Sequence, residues 1–204
     1  MDTQEEAKFE KAVERAYQEE KAKKKEESWW DVLRFAVITL AIIIPFRIYV
    51  AQPFIVSGDS MFPTFHDKEY LIVDELSYHF HAPNRGDVVI FKYPLDTSKF
   101  FIKRIIGLPG ETVTVKAGKV YITKDEQKTE LHEPYLKELT IKDSETKLAK
   151  DQYFTMGDNR DVSFDSRYWG ALDIKFIRGR ALMRLLPLNQ LSYLPGKFNQ
   201  YKIK

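Results

Sequence analysis

Hydrophobic and polar positions change rhythm along this chain. Residues 1–28 are polar almost throughout, with Phe9, Val13 and Tyr17 recurring at helical spacing. Ala, Glu, Lys and Gln dominate, no Pro or Gly intervenes, and several Glu–Lys pairs stand close enough to support turns. The pattern predicts a solvated helix or a charged tail. From Trp29 to Val56 it inverts, and only Asp31, Arg34 and Arg47 are charged. The charge-free stretch Phe35–Phe46 would be only about 18 Å long as a helix, against a hydrocarbon core of about 30 Å. A membrane span must therefore draw in its flanks, with Arg34 and Arg47 snorkelling, Trp29 and Trp30 at one interface and Tyr49 near the other. A cleavable secretory signal is the alternative, with a buried core helix a third. A long charged region before the apolar run weighs against cleavage, as does Tyr49 at the −3 position of a cut after Ala51. Lys21 and Lys23–Lys25 precede the segment, so the N-terminus stays cytoplasmic and residues 52–204 are exported.

Beyond residue 52 the period shortens. Tyr70–Val73, Asp87–Lys92, Phe100–Ile106, Thr112–Val115, Lys119–Ile122, Gln152–Met156 and Ala181–Leu186 are short runs rich in β-branched and aromatic residues. Turn signals at Asn84-Arg85-Gly86, Leu108-Pro109-Gly110, Ala117-Gly118, Gly157-Asp158-Asn159 and Pro195-Gly196 punctuate them. Residues 123–150 are polar and read as a hairpin tip and a loop. The predicted fold is mainly β: an antiparallel sandwich or barrel-like domain following a single N-terminal transmembrane helix. The implied organisation is a charged cytoplasmic segment 1–28, an anchor 29–51 and an exported domain 52–204.

Composition narrows the function classes. The 32 basic and 30 acidic residues leave a net charge of +2, which is no footprint for nucleic acid. Mean hydropathy of −0.40 excludes a polytopic membrane protein but not one membrane segment. With no cysteine, disulfides, thiolate metal sites and thiol nucleophiles are excluded together. His66, His79, His81 and His132 form no HExxH pattern, and no GxSxG elbow or phosphate-binding glycine loop is present.

Serine and lysine remain. Ser60 lies in SGDSMFPT (57–64), where Gly58 permits a tight bend and Pro63 stiffens the exit. Such a serine is either a turn residue or an exposed hydroxyl. Lys103 lies in FFIKRIIGLPG (100–110). On a strand it shares a face with Phe101 and Ile105, while Arg104 falls on the other. If that face is covered, desolvation lowers the amine's pKa and the lysine can deprotonate a serine; otherwise it snorkels from a sheet edge. The third cluster, MGDNRDVSFDSRYWG (156–170), is dense in turn-forming polar groups, a self-bonded loop or a surface turn, in which Asp165 and Arg167 could pair.

Taken together and in order, these segments resemble bacterial type I signal peptidases, membrane-bound serine endopeptidases. FRIYVAQPF, SGDSMFPT, RGDVVIF (85–91), FIKRIIGLPGE (101–111) and GDNRDVSFDSRYWG (157–170) carry the likeness, with GKVYI (118–122) and EPYL (133–136) between them. The resemblance implies Ser60 as nucleophile and Lys103 as general base. Ser163 would hydrogen-bond the lysine amine, and Asp165 and Arg167 would brace the site. Phe54, Val56, Met61 and Ile102 would line the pockets for small substrate residues. It implies no cofactor and no metal. The partners are signal peptides of exported preproteins and the lipid bilayer of a plasma membrane. It does not set the oligomeric state. Gly58 stands where some members have a serine, and Val162 where an asparagine is usual. Other readings of the same features are an inactive membrane-held domain that binds extended peptides, and a self-cleaving repressor, for which no DNA-binding segment is visible.

Overall fold

The computed structural model describes residues 3–45, 52–136 and 142–197. The chain divides into two compact units, residues 1–47 and 48–204.

The first unit is one helix, α1 (Thr3–Pro45), running 43 residues through the compositional change at residue 28. Both halves are made of residues that tolerate a helix, and no Gly or Pro interrupts them before Pro45. The change from charged to apolar is therefore a change of surface on a continuous backbone. Phe9, Val13 and Tyr17 are exposed, and so are Val32, Leu33, Phe35, Val37, Ile38, Leu40 and Ile42–Ile44. Among the described residues no helix is long and apolar enough to cross a membrane. The end of the expected anchor, with Arg47 and Tyr49, lies outside the described residues.

The second unit is built from strands that all pair antiparallel, in agreement with the mainly β expectation. In chain order they are β1 (Gln52–Ile55), β2 (Tyr70–Asp74), β3 (Val88–Tyr93), β4 (Asp96–Gly107), β5 (Thr112–Lys116), β6 (Lys119–Lys124), β7 (Gln127–Glu130), β8 (Ser144–Lys147), β9 (Gln152–Met156), β10 (Leu172–Asp173), β11 (Ile177–Leu186) and β12 (Ser192–Tyr193). A one-turn helix, α2 (Ser166–Trp169), precedes β10. The larger sheet runs β1-β2-β11-β3-β4-β9-β10, with β12 beside β11; the smaller runs β7-β6-β5-β8. The polar segment 123–150 differs in part from expectation. A hairpin tip is present, with Asp125 and Glu126 at positive φ between paired Lys124 and Gln127, but residues 144–147 form a strand on β5.

Strand alternation separates the cores. Val88 and Ile90 of β3 face one side with Ile102 of β4, joining Val56, Met61, Phe65, Leu71 and Val73. Val89 and Phe91 face the other with Phe101, against Tyr153, Leu172 and Trp169. A third cluster joins the two sheets: Ile106, Phe154 and Met156 of the larger pack on Val113, Val115, Val120 and Ile122 of the smaller.

The larger sheet ends at β1 and β10, and β4 is open along part of its length. β4 pairs with β9 only from Arg104 onward, so its run up to Lys103 has β3 on one side and, among the described residues, no strand on the other.

Candidate active site

The loop from β1 to β2 carries Ser60. Its neck is closed by Val56 N–H donating to Glu69 O and Lys68 N–H donating to Val56 O, both at 2.9 Å. Gly58 sits at φ +84°, a left-handed conformation that glycine adopts without strain, and its N–H donates to Asp67 Oδ1 at 2.8 Å. Phe62 N–H closes the next turn onto Asp59 O at 3.1 Å. Buried Met61 and Phe65 pin the loop to the core, leaving Ser60 half-buried at its bend. The Ser60 carbonyl accepts a hydrogen bond from Asn159 N–H at 3.0 Å, while its own N–H makes none among the described residues.

Lys103 reaches this bend from the last position of β4 before its pairing with β9 begins. Its Nζ donates to Ser60 Oγ at 2.6 Å and to the Ile102 carbonyl at 3.0 Å. The residue is 4% exposed, and its amine lies 5.5 Å from the centroid of the Phe101 ring. Burial pushes the amine down from its ordinary value of 10.5 to about 8; Asp165 and Asp158 oppose the shift and Arg167 favours it. With a pKa of about 8, roughly one amine in ten is neutral at pH 7.

The third sequence cluster forms the opposite wall. Gly157 is required here by contact, since a Cβ would come within 2.3 Å of the Ser60 carbonyl and of Ser163 Oγ. Asp165, fully buried, accepts from Gly157 N–H at 3.0 Å and pairs with Arg167 through two 2.8 Å bonds. Arg167 also donates to the Arg160 carbonyl at 2.7 Å. The serine of this loop behaves differently from the expectation. Ser163 Oγ is buried with no hydrogen-bond partner among the described residues, so the bond to the lysine amine is not made. The amine turns instead to Ser60 and to its own strand's carbonyl, while Ser163 packs where Gly157 lacks a side chain.

A cavity of about 520 Å³ opens beside Ser60 and Lys103. Phe54, Val56 and Ile102 line it together with Leu71, Ile90, Phe100, Phe101, Val162 and Phe164. Met61 is not among its walls. It is fully buried in the core behind them, because the bend that exposes Ser60 turns the next side chain inward.

Sequence reasoning passed over a buried ionic framework behind the bend. Arg104 Nε donates to Asp158 Oδ1 at 2.8 Å, and another guanidinium N–H donates to the Gly86 carbonyl at 2.9 Å. Thr64 Oγ1 donates to the same Asp158 carboxylate. Arg160 pairs with Glu133. The available signal was position: Asp158 and Arg160 lie inside the polar cluster, and Arg104 follows Lys103.

A serine hydroxyl at hydrogen-bonding distance from a desolvated lysine, in an apolar cleft, can do hydrolase chemistry, because a neutral amine there can take the hydroxyl proton and free the oxygen to attack a carbonyl. Comparison with known proteins agrees in class. The family model described as signal peptidase, peptidase S26, matches residues 29–186. Signal peptidase I of Leptolyngbya laminosa is 36% identical over 166 residues, covering 77% of this chain and 79% of its own. Probable signal peptidase I-1 of Synechocystis sp. is 39% identical over 170 residues, covering 79% and 84%. Signal peptidase I of Bacillus amyloliquefaciens is 38% identical over 161 residues, covering 73% and 80%. The chain belongs to the signal peptidase family, peptidase S26, and is a serine endopeptidase.

Proposed function

We propose that this chain cleaves signal peptides from exported preproteins after small residues, with Ser60 as nucleophile and Lys103 as general base. The observation that carries the assignment is the 2.6 Å contact between Lys103 Nζ and Ser60 Oγ, with the amine brought to a pKa of about 8 by burial. Neutral Lys103 takes the hydroxyl proton as Ser60 Oγ attacks the scissile carbonyl. The oxyanion that forms is met by the Ser60 N–H, which has no other partner among the described residues. As the tetrahedral intermediate collapses, the Lys103 ammonium gives its proton to the departing amine. A water then attacks the acyl-enzyme, its proton passing to Lys103 and on to Ser60 Oγ, which regenerates both groups.

The substrate is read as an extended peptide lying in the cleft between the free edges of β1 and β4. Phe54–Val56, from β1 into the loop that follows it, and Phe100–Lys103 of β4 both line the cavity. A strand edge suits main-chain recognition, while alternate side chains enter pockets. Phe54, Val56 and Ile102, with Leu71 and Ile90 behind them, wall the space for P1 and P3. Bulky walls leave shallow pockets, which favour alanine at both positions.

Membrane attachment belongs to the same proposal. The helix carries exposed apolar side chains from Val32 to Ile44, with Phe35 at 73% and Ile42 at 66%, a surface that water does not suit. A single pass through a bacterial plasma membrane, over about residues 29–51, would cover it. Residues 1–28 then remain cytoplasmic and 52–204 act outside.

Cleavage of a preprotein in detergent by the wild type and by Ser60→Ala tests the assignment. Loss of cleavage in the variant is expected. Equal activity in both would overturn it.

A further inference from the structure

Beyond P1 and P3, the cleft has an apolar surface that the proposed chemistry does not use. Along residues 162–165 the side chains alternate. Ser163 and Asp165 are buried, at 3% and 0% exposure, while Val162 and Phe164 are turned out, at 63% and 48%. Both outward residues line the cavity that holds Ser60 and Lys103. Phe164 continues a run of rings: its edge meets Tyr93 at 6.1 Å, and Tyr93 stacks on Phe101 at 4.7 Å. Neither Val162 nor Phe164 belongs to a core cluster.

The pleat of β4 says which part of a peptide would meet this surface. Ile102 pairs opposite Ile90 and packs with Phe54, Val56 and Leu71, whereas Phe101 and Lys103 pair opposite Phe91 and Val89 on the other face of the strand, and all three line the cavity. A peptide strand added to this edge shares the pleat. If P1 and P3 point toward Ile102, P2 points toward Phe101 and the rings beyond it.

We propose that Val162, Phe164 and Phe101 form an open apolar shelf that reads the P2 side chain, selecting large apolar residues over small or acidic ones. The shelf rests on the proposed strand-addition mode of peptide binding. Because it is half open, one well-placed side chain there gives roughly tenfold discrimination, the low end for an apolar site.

The test uses the full chain in detergent and one preprotein with alanine at P1 and P3 and leucine, alanine or aspartate at P2. Wild type is expected to cleave them in that order, with kcat/KM for leucine about tenfold above alanine. Phe164→Ala should bring the leucine-to-alanine ratio to within about twofold, chiefly through KM, and Phe164→Leu should restore most of it. Phe164 is half exposed, so these variants should fold. No leucine preference in the wild type, or an unchanged ratio in Phe164→Ala, would overturn the shelf. An equal loss on all three substrates would also overturn it and point to contact with lipid instead. Ser60→Ala serves as the control. If it still cleaves, the catalytic assignment fails; if it is inactive while the ratios do not move, only the shelf fails.

Discussion

The Lys103 amine stands between two regions of one domain that treat charge in opposite ways. On the cavity side, Phe54, Val56, Phe100 and Ile102 bring no ionisable group toward it. On the loop side, Asp158 and Asp165 are buried, yet each carboxylate is held by an arginine, Arg104 in one case and Arg167 in the other. Burial lowers the amine's pKa, Asp165 and Asp158 raise it, and Arg167 lowers it. An unpaired buried carboxylate this close would hold the lysine protonated and useless as a base. A low-pKa lysine thus needs both an apolar wall and neutralised neighbours.

The largest effect should follow removal of the pair between these regions. Lys103→Arg keeps a cation that cannot give up its proton at usable pH, and kcat/KM should fall by about 10⁴-fold or more, as for other catalytic groups acting as a unit. Single-turnover assays of preprotein cleavage would show it. Substantial activity in that variant would contradict Lys103 as the base, and neither His79 nor His81 lines the cavity to replace it.

Breaking the charged side alone should come next. Arg167→Met strands the buried Asp165 carboxylate, so stability should fall by about 3–5 kcal/mol in urea denaturation. The activity midpoint should move to higher pH, because Arg167 favours the neutral amine and Asp165 opposes it. Asp165→Asn should move that midpoint the other way. Shifts of the same sign in both variants would contradict this account of the amine's surroundings.

Much of this arrangement was legible in the sequence, for identifiable reasons. A glycine bend and an alternating apolar strand drew attention to Ser60 and Lys103 but left each open to a plain structural reading, and only the ordered resemblance of several segments gave them roles. The strand Gln152–Met156 was read to its ends because its apolar run is bounded by turn residues on both sides. Arg104 was not read as structural. Its partner Asp158 is 54 residues away, and only the β4–β9 pairing brings them together. Ser144–Lys147 was invisible as a strand because its Ser-Glu-Thr-Lys run is polar and pairs through its backbone. The resemblance implied Met61 as a pocket wall, but the bend turns its side chain into the core. The continuity of α1 was obscured by a change of polarity that the backbone ignores.

Smaller effects sharpen the apolar side. Ile102→Ala should widen acceptance of valine at P1 or P3 by about 1–3 kcal/mol in relative kcat/KM. No widening at either position would remove Ile102 from the pocket without touching Ser60 or Lys103. The smallest effect should come from an ion pair outside both regions. Lys119 and Glu130 pair at 3.0 Å on the smaller sheet but remain about half exposed, so Lys119→Ala should leave the denaturation midpoint unchanged.

The central claim is that a neutral Lys103 amine activates Ser60, and the pH dependence of kcat/KM in the wild type tests it most directly. With burial holding the amine at about 8, kcat/KM should rise tenfold per pH unit below that value and level off above it. A profile already flat from about pH 6 to 9, or one rising through a histidine-like midpoint of about 6.5, would contradict it.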